Sequence, residues 1–384
     1  MQNFTFHNPT RILFGKGRIA DIAQEIPAGG RVLITYGGGS VVKTGTLAEV
    51  KAALSGFTLF EFGGIEPNPT YEKLMQGVEF ARQEKIDFLL AVGGGSVIDG
   101  TKFIAAAIPF AGIPWEILSK QAKIKTAVPF GCVLTLPATG SEMNSGAVIT
   151  RRATNDKLVF ASPLVAPLFS VLDPAKTFTL PASQVANGIV DAFVHITEQY
   201  LTYPVQAKVQ DRFAEGLLLT LIEDGPKAFS EPENYDVRAN LMWTATLALN
   251  GLIGAGVPQD WATHMLGHEL TALHGLDHAQ TLAVVLPAML QVRRADKREK
   301  LLQYADRVWG LHDGDEAQRI DQAIEKTRQF FESLQVPTRL SAYGIGEDAI
   351  PALLAQLQRH GMTALGEQHN LSLEQSRKVF ELAK

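Results

Sequence analysis

Short apolar runs alternate with amphipathic helical segments in the first part of the chain, up to Pro181. The runs are rich in β-branched and aromatic residues and occupy positions 31–36, 59–62, 88–92 and 132–136. Strand patterns separated by helical patterns are typical of βαβ units, whose strands lie parallel in one sheet. This part of the chain is therefore predicted to be an α/β domain with a parallel sheet.

After Pro181 the pattern changes to long stretches with helical periodicity and few strand signals. These stretches occupy positions 207–222, 237–252, 317–334 and 372–382, and the last begins with Ser372 and Gln375 at the spacing of a capping box. We therefore predict an α/β domain at residues 1–180 and an all-helical domain at residues 181–384. Four prolines, at positions 163, 167, 174 and 181, predict a hinge between the two domains.

Charge and cysteine content exclude several classes of protein. The 35 basic and 40 acidic residues give a formal net charge of −5, and no Lys/Arg run is present, so we expect no nucleic-acid partner. The single cysteine, Cys132, lies in an apolar run and is interpreted as a buried strand residue. One cysteine rules out an intramolecular disulfide, which fits a reducing compartment.

Targeting and membrane signals are lacking in the sequence. The first 11 residues have neither a basic start nor an apolar core, so no signal peptide is expected. The most apolar longer stretch, residues 158–172, contains Pro163 and Pro167 and is too short to cross a bilayer. We therefore expect a cytoplasmic protein with no membrane partner.

A glycine cluster, Gly93-Gly94-Gly95-Ser96, follows the predicted strand at 88–92 and precedes a predicted helix at 97–107. A side-chain-free turn at a helix N-terminus leaves backbone N–H groups available for an anion such as a diphosphate. The cluster differs from the G-x-G-x-x-G dinucleotide fingerprint. The alternative interpretation is a purely structural turn with Ser96 as the helix N-cap and Asp99 three residues later.

A second cluster, Gly37-Gly38-Gly39-Ser40, follows the predicted strand at 31–36, with Lys43 three residues beyond. Sites that prefer NAD usually place Asp or Glu near the end of such a strand, where the carboxylate holds the ribose 2′-OH and repels a 2′-phosphate. No acidic residue stands here. Glycine amides, a serine hydroxyl and a lysine favour NADP, although a surface lysine is often only a solvated charge.

A metal site is predicted from histidines in the second half of the chain. Asp191 and His195 are four residues apart in a helical pattern and therefore share a face. His264, His268 and His278 belong to a mostly apolar stretch, and spacing leaves open whether His264 or His268 joins His278. One carboxylate and three imidazoles suit Zn²⁺ or Fe²⁺ with a position left for substrate.

Several separate segments together resemble the iron-containing (group III) alcohol dehydrogenases, in particular the branch of NADPH-dependent aldehyde reductases and butanol dehydrogenases. The resemblance runs essentially end to end. Its segments are Ser170-Val-Leu-Asp173 followed by Pro181, Ala186, Gly188, Asp191 and Glu198, together with Glu66-Pro-Asn-Pro69, Gly93-Gly-Gly-Ser-Val-Ile-Asp99 and Thr135-Leu-Pro-Ala-Thr-Gly-Ser-Glu142. The resemblance implies a dehydroquinate synthase-like α/β domain that binds dinucleotide, residues 1–180, and a helical metal-binding domain, residues 181–384.

The resemblance also implies roles for individual residues. The metal ligands would be Asp191, His195, His264 and His278, with His268 close by without being a principal ligand. The implied cofactor contacts are Gly37, Gly38, Ser40, Asn68, Gly94, Gly95, Ser96, Asp99, Thr135, Thr139 and Lys157. The expected cofactors are NADP(H) and one divalent ion, Zn²⁺ or Fe²⁺.

The expected reaction is reduction of an aldehyde to an alcohol by hydride transfer from NADPH, with the carbonyl polarised by the metal ion. The proton for the product is expected to come from solvent, through metal-bound water or through His268 as catalytic proton relay. We expect a homodimer with a broad range of small aldehyde and alcohol substrates, contacted by apolar residues such as Ile149, Phe160 and Leu252. The alternatives are a polyol dehydrogenase like glycerol dehydrogenase, a dehydroquinate synthase, a non-catalytic nucleotide- or metal-binding regulator, and a purely structural α/β protein.

Overall fold

The computed structural model describes residues 1–384, which form two compact units. The sheet unit contains residues 7–180 and 232–246, and the helical unit contains residues 1–6, 181–231 and 247–384. The chain therefore enters the helical unit at Pro181, where the apolar pattern of the sequence changes. The assignment of residues 1–180 to a dinucleotide-binding domain and of residues 181–384 to a metal-binding domain stays a prediction.

The strands belong mainly to the sheet unit. They are β1 (Arg11–Phe14), β2 (Arg31–Tyr36), β3 (Thr58–Phe62), β4 (Phe88–Gly94), β5 (Phe130–Leu136), β6 (Gly146–Arg151), β7 (Asp156–Ala161), β8 (Phe169–Leu172), β9 (Ala364–Leu365) and β10 (Leu371–Ser372). Six of them form one parallel sheet in the order β1-β8-β5-β4-β2-β3. β6 and β7 form an antiparallel hairpin, and β9 and β10 a two-residue ladder in the helical unit.

The helices lie in both units. They are α1 (Ser40–Lys43), α2 (Thr46–Ala53), α3 (Tyr71–Gln83), α4 (Gly95–Ala107), α5 (Glu116–Ser119), α6 (Ala182–Tyr200), α7 (Lys208–Asp224), α8 (Lys227–Ser230), α9 (Tyr235–Ala248), α10 (Ala262–His274), α11 (His278–Val292), α12 (Arg298–Arg307), α13 (Glu316–Ser333), α14 (Ile350–Arg359) and α15 (Leu373–Leu382). The Ser372/Gln375 capping box before α15 is confirmed.

Both faces of the parallel sheet are buried. Along β4, Leu89 and Ala91 pack into one apolar cluster with residues of α4, while Phe88, Leu90 and Val92 pack into a second cluster on the opposite side. Successive side chains of a strand point to opposite faces, so a strand covered on both sides needs a continuous apolar run. This explains why the sequence pattern predicted β2, β3, β4 and β5.

The predicted hinge is wrong for part of its length. Residues 169–172, between Pro167 and Pro174, form the fully buried strand β8, which pairs with both β1 and β5. Prolines flank this strand without entering it, so they mark its ends. The edge strand β1 and the β6–β7 hairpin were not predicted.

The helical unit has its own core, in which α10, α11, α14 and α15 pack together through residues such as Leu266, Val285 and Phe380. The predicted helices at 207–222, 317–334 and 372–382 correspond to α7, α13 and α15, and the one at 237–252 corresponds to α9, which ends at Ala248. No helix combines the length and apolar character that crossing a bilayer requires.

Candidate functional site

α6 brings the first two predicted metal ligands together. Asp191 and His195 occupy i and i+4 positions of this helix, and both side chains are buried. Nδ1 of His195 lies 3.5 Å from Oδ1 of Asp191. The helical face expected from the spacing is confirmed.

Two further histidines converge on the same carboxylate from the next pair of helices. His264 lies in the first turn of α10 and His278 is the first residue of α11. Their Nε2 atoms lie 3.9 Å and 3.6 Å from Oδ1 of Asp191. The candidate ligand atoms of Asp191, His195 and His264 all lie within 4.8 Å of one another.

His268 is close to this group but is not a member of it. The side chain is buried on α10, and its ring centroid lies 5.4 Å from that of His278 and 6.4 Å from that of His264. Of the two histidines that the spacing left open, the structure therefore groups His264 with Asp191.

The donor chemistry of the group fits a divalent cation. Nδ1 of His195 and Nε2 of His264 are buried nitrogen atoms without a hydrogen-bond partner, an arrangement expected where nitrogen lone pairs serve as metal ligands. Burial lowers the pKa of His195 to about 4, outweighing the nearby Asp191 carboxylate. A lowered pKa favours the neutral imidazole, which is the form that binds a metal ion.

Glu198 is a site residue that the sequence analysis quoted only as part of a family pattern. Its Oε2 contacts Nδ1 of His264, and its Oε1 accepts a 2.6 Å hydrogen bond from the backbone N–H of Thr263. Burial lowers the pKa of His264, but the carboxylates of Glu198 and Asp191 outweigh it and raise the value to about 9. The available signal was its position on α6, three residues after His195.

The predicted cofactor residues all belong to the sheet unit, and most follow the carboxyl ends of neighbouring strands. Gly37, Gly38 and Ser40 follow β2; Asn68 follows β3; Gly95, Ser96 and Asp99 follow β4, which ends at Gly94; Thr135 is near the end of β5, and Thr139 follows it. β5, β4, β2 and β3 are adjacent in the sheet. Ligands of open parallel sheets bind outside this edge.

The turn between β4 and α4 presents an uncapped helix N-terminus. Gly94 is the N-cap and makes no side-chain capping bond, so the alternative interpretation with Ser96 as N-cap is wrong. A Cβ on Gly95 would lie 2.3 Å from Oγ1 of Thr139. Because no side chain satisfies the first backbone N–H groups of α4, the turn is suited to an anion.

Asn68 and Lys157 are linked to this turn. Asn68 has a positive φ of 54°, and its backbone N–H donates a 3.3 Å hydrogen bond to Oγ of Ser96. Nζ of Lys157, on β7, donates a 2.9 Å hydrogen bond to Oδ1 of Asn68. The mostly buried lysine therefore places a positive charge close to the anion-binding turn.

The turn after β2 is more open. Gly37 accepts a 3.0 Å hydrogen bond from the backbone of Gly64, and a Cβ on Gly38 would meet no atom within 4 Å. Ser40 and Lys43 are both exposed. The preference for a 2′-phosphate at this turn stays a prediction.

A buried charged cluster supports the loop that carries Thr139, and the sequence analysis did not identify it. Nζ of Lys102, on α4, donates 2.8 Å hydrogen bonds to Ser141, Asn144 and the carbonyl of Gly146. Burial lowers the pKa of Lys102 to about 8.

Asp99 lies one helical turn from Lys102 and is engaged with the protein itself. Its carboxylate accepts hydrogen bonds from Ser141 Oγ at 2.5 Å and from the backbone of Val148 at 2.8 Å, and burial raises its pKa. Its predicted role as a direct cofactor contact stays a prediction.

Two of the three apolar residues named as substrate contacts are wrong. Ile149 and Phe160 are fully buried and belong to the apolar core of the sheet unit. Both alternate with exposed or half-buried neighbours along the β6–β7 hairpin, so strand alternation directs them into the core. Leu252 is half-buried in the helical unit.

Comparison with known families matches almost the whole chain. Residues 9–174 match the family described as iron-containing alcohol dehydrogenase. Residues 185–383 match the C-terminal part of the Fe-containing alcohol dehydrogenase family. The two matches correspond to the segments in which the nucleotide-binding and metal-binding candidates lie.

Individual relatives cover the chain completely or nearly so. It is 66% identical to NADPH-dependent aldehyde reductase YqhD of Escherichia coli (strain K12) over 100% of both chains, and 38% identical to NADH-dependent butanol dehydrogenase A of Clostridium acetobutylicum over 99% of both. The solved structure of NADH-dependent butanol dehydrogenase A from Thermotoga maritima superposes with a TM-score of 0.96 at 34% identity, covering 100% of this chain and 99% of that one. The chain belongs to the iron-containing alcohol dehydrogenase family.

Proposed function

We propose that this protein is an NADPH-linked aldehyde reductase, and in the reverse direction an alcohol dehydrogenase, with a broad range of small substrates. The observation that carries the proposal is the convergence of the buried ligand atoms of Asp191, His195 and His264 within 4.8 Å of one another. A carboxylate and imidazoles that share one buried site suit a divalent ion used in catalysis. Both halves of the chain also match the alcohol dehydrogenase family.

Asp191, His195, His264 and His278 are the proposed ligands of one ion, Zn²⁺ or Fe²⁺. Four protein ligands leave an additional coordination position for a small oxygen ligand when the ion expands its coordination. A bound divalent ion supplies polarisation of the carbonyl oxygen, and bound NADPH supplies a hydride for the carbonyl carbon. His278 is the most exposed of the four side chains, at 24%, which supports approach of substrate from its side.

His268 is proposed to hold the proton that the product alcohol requires. Its buried ring lies beside the ring of His278, at 5.4 Å between centroids. Histidine is the side chain most often used for proton transfer near neutral pH. The proposal places His268 next to the substrate oxygen without making it a metal ligand.

The cofactor is proposed to be NADP(H), bound at the carboxyl edge of the sheet. Its proposed contacts are Gly37, Gly38, Ser40, Asn68, Gly94, Gly95, Ser96, Asp99, Thr135, Thr139 and Lys157. The uncapped N-terminus of α4 supports diphosphate binding there, and the open turn at Gly38 supports room for a 2′-phosphate. The 66% identical relative is named for NADPH, which favours NADPH here. Relatives at 38% to 42% identity are named for NADH or for NADP.

The remaining proposals concern the setting of the enzyme. A small aldehyde or alcohol is the proposed substrate, since relatives are named as aldehyde reductase and butanol dehydrogenase. The cytoplasm is the proposed location, and a homodimer, expected from the family resemblance, is the proposed assembly.

The test is a substrate panel on purified protein whose metal content has been measured. We expect NADPH to be consumed with butanal-sized aldehydes faster than it is formed from the matching alcohols at neutral pH, and faster than NADH is consumed. Strict dependence on a polyol would contradict the proposal and favour a polyol dehydrogenase. Stoichiometric metal without turnover of any aldehyde would favour a binding protein.

A further inference from the structure

The proposed metal ligands supply one negative charge, which offsets half of the charge of a divalent ion. Asp191 is the only carboxylate among the four, and the three imidazoles are neutral when they bind metal. A divalent ion held by this set would leave one positive charge uncompensated among buried side chains. Buried charge without compensation is costly, so a second anionic group is expected close by.

Glu198 is placed where that second charge is needed. The side chain is buried, and α6 sets it three residues after His195 and seven after Asp191, on the same helical face. Its Oε2 contacts Nδ1 of His264. Its Oε1 accepts from the N–H of Thr263 at 2.6 Å, and its backbone carbonyl accepts from Asp260 at 2.9 Å.

These contacts determine which nitrogen of His264 is available for a metal ion. An ionised carboxylate only accepts hydrogen bonds, so Nδ1 of His264 must carry the proton that is donated to Glu198. In the neutral ring that binds metal, the lone pair is then on Nε2, which is buried, lacks a hydrogen-bond partner and lies 3.9 Å from Oδ1 of Asp191. Because Nδ1 of His264 donates to Glu198, Nε2 is the nitrogen that faces the other proposed ligands.

We propose that Glu198 is a positioning residue that fixes the metal-binding tautomer of His264 and supplies a second negative charge that stabilises a bound divalent ion. The proposal rests on the metal site proposed above. It assigns a function to a side chain that is not itself a ligand, and it predicts that metal affinity depends on the charge of Glu198.

The substitution Glu198→Gln tests both the tautomer of His264 and the negative charge, because it removes the charge while the volume of the side chain stays nearly constant. A glutamine that accepts from Thr263 through its oxygen presents its NH₂ group to His264, so Nδ1 must become the acceptor and Nε2 must carry the proton. The flipped orientation would instead oppose two N–H groups at Thr263. We expect Co²⁺ and Zn²⁺, added to chelator-treated full-length protein, to bind about 10 to 100 times more weakly by chelator competition.

A spectroscopic readout separates positioning from general loosening of the fold. The visible absorption bands of bound Co²⁺ report ligand number and geometry, and we expect them to change in E198Q even at saturating metal. Loss of affinity with an unchanged Co²⁺ spectrum would contradict the tautomer assignment.

Glu269→Gln is the matched control. Glu269 is a buried glutamate on α10 whose Oε1 contacts Nδ1 of His360 at 2.6 Å, a glutamate–histidine pair with no proposed ligand in it. We expect the metal affinity of E269Q to stay within about twofold of that of the unmodified protein. Glu269 is not hydrogen-bonded to a proposed metal ligand, so its charge should not affect the ligands. Equal losses in E198Q and E269Q would overturn the proposal.

Glu198→Asp keeps the charge but withdraws the carboxylate by one methylene group. We expect metal binding weaker than in the unmodified protein and tighter than in E198Q. Unchanged affinity in either E198D or E198Q overturns the role of Glu198, even if the other variant does not fold. An unmodified protein that binds neither ion would instead overturn the metal site itself.

Discussion

The two candidate sites are built from different parts of the polypeptide. In the sheet unit, the turn at Gly94 and Gly95 offers backbone N–H groups, and a Cβ on Gly95 would clash with Oγ1 of Thr139. In the helical unit, side chains from α6, α10 and α11 converge, and Asp191 lies within 4 Å of three imidazoles. The first site is sensitive to added atoms and the second to removed ones.

The two sites therefore differ in the substitutions that they tolerate. A backbone site keeps its donors when a neighbouring side chain changes, provided that the loop shape is maintained. A side-chain site loses a metal ligand with one substitution, and no other side chain replaces the lost ligand.

Replacing His264 with alanine removes a ligand together with the contact to Glu198. We expect bound metal to be lost and turnover to fall by about 10³-fold or more, because polarisation of the carbonyl contributes several kcal/mol to the barrier. Metal analysis and kcat are measured together, with circular dichroism to show that the fold is kept. His274→Ala, in the same histidine-rich stretch but exposed, should behave as the unmodified protein does. Stoichiometric metal and near-normal turnover in H264A would contradict the assignment of His264 as a metal ligand.

Replacing Lys102 with methionine tests how much the buried charge beneath the backbone site contributes to the stability of the protein. Three acceptors on the loop 141–146 lose their donor, and Asp99 loses a nearby positive charge. We expect the free energy of unfolding to fall by about 3 kcal/mol, measured by chemical denaturation. Lys16→Met, at an exposed position of the same unit, should change it by less than about 0.5 kcal/mol. A similarly small change in K102M would show that the hydrogen bonds of Lys102 contribute little to stability.

Replacing Gly95 with alanine adds one carbon to the backbone site. The new Cβ would lie 2.3 Å from Oγ1 of Thr139, so the turn or the loop must move. Overpacking of this kind costs about 1 to 3 kcal/mol, and we expect NADPH to bind about ten times more weakly, as measured by calorimetry. Gly56→Ala, where no atom lies within 4 Å, is the control. Unchanged affinity in G95A would mean that the diphosphate binds elsewhere.

Replacing Gly38 with aspartate changes the charge of the open turn after β2. A carboxylate there should repel a 2′-phosphate and lower the ratio of kcat/KM for NADPH to that for NADH by about tenfold or more. Gly38→Asn has nearly the same shape without the charge and should shift the ratio less. Preference for NADH in the unmodified protein would already contradict the proposed cofactor.

Local patterns were sufficient for most of the fold. The apolar runs of β2 to β5 were recognisable because both sheet faces are covered, and α15 was recognisable from its capping box. β8 was mistaken for part of a hinge, since four residues between prolines give no periodicity to read. The sequence left open whether Ser96 caps α4, because a serine before an apolar run is a common N-cap, and the structure gives Gly94 as the N-cap.

The sequence by itself determined the two glycine turns, the Asp191/His195 pair and the family, because each depends on residues close together in the chain or on a pattern of types. Only the tertiary structure decided that His264 and not His268 joins Asp191, that Lys102 supports the loop 141–146, and that Glu198 contacts His264 across 66 residues of sequence. Spacing along one helix determines a shared face, but which faces meet depends on how separate helices pack.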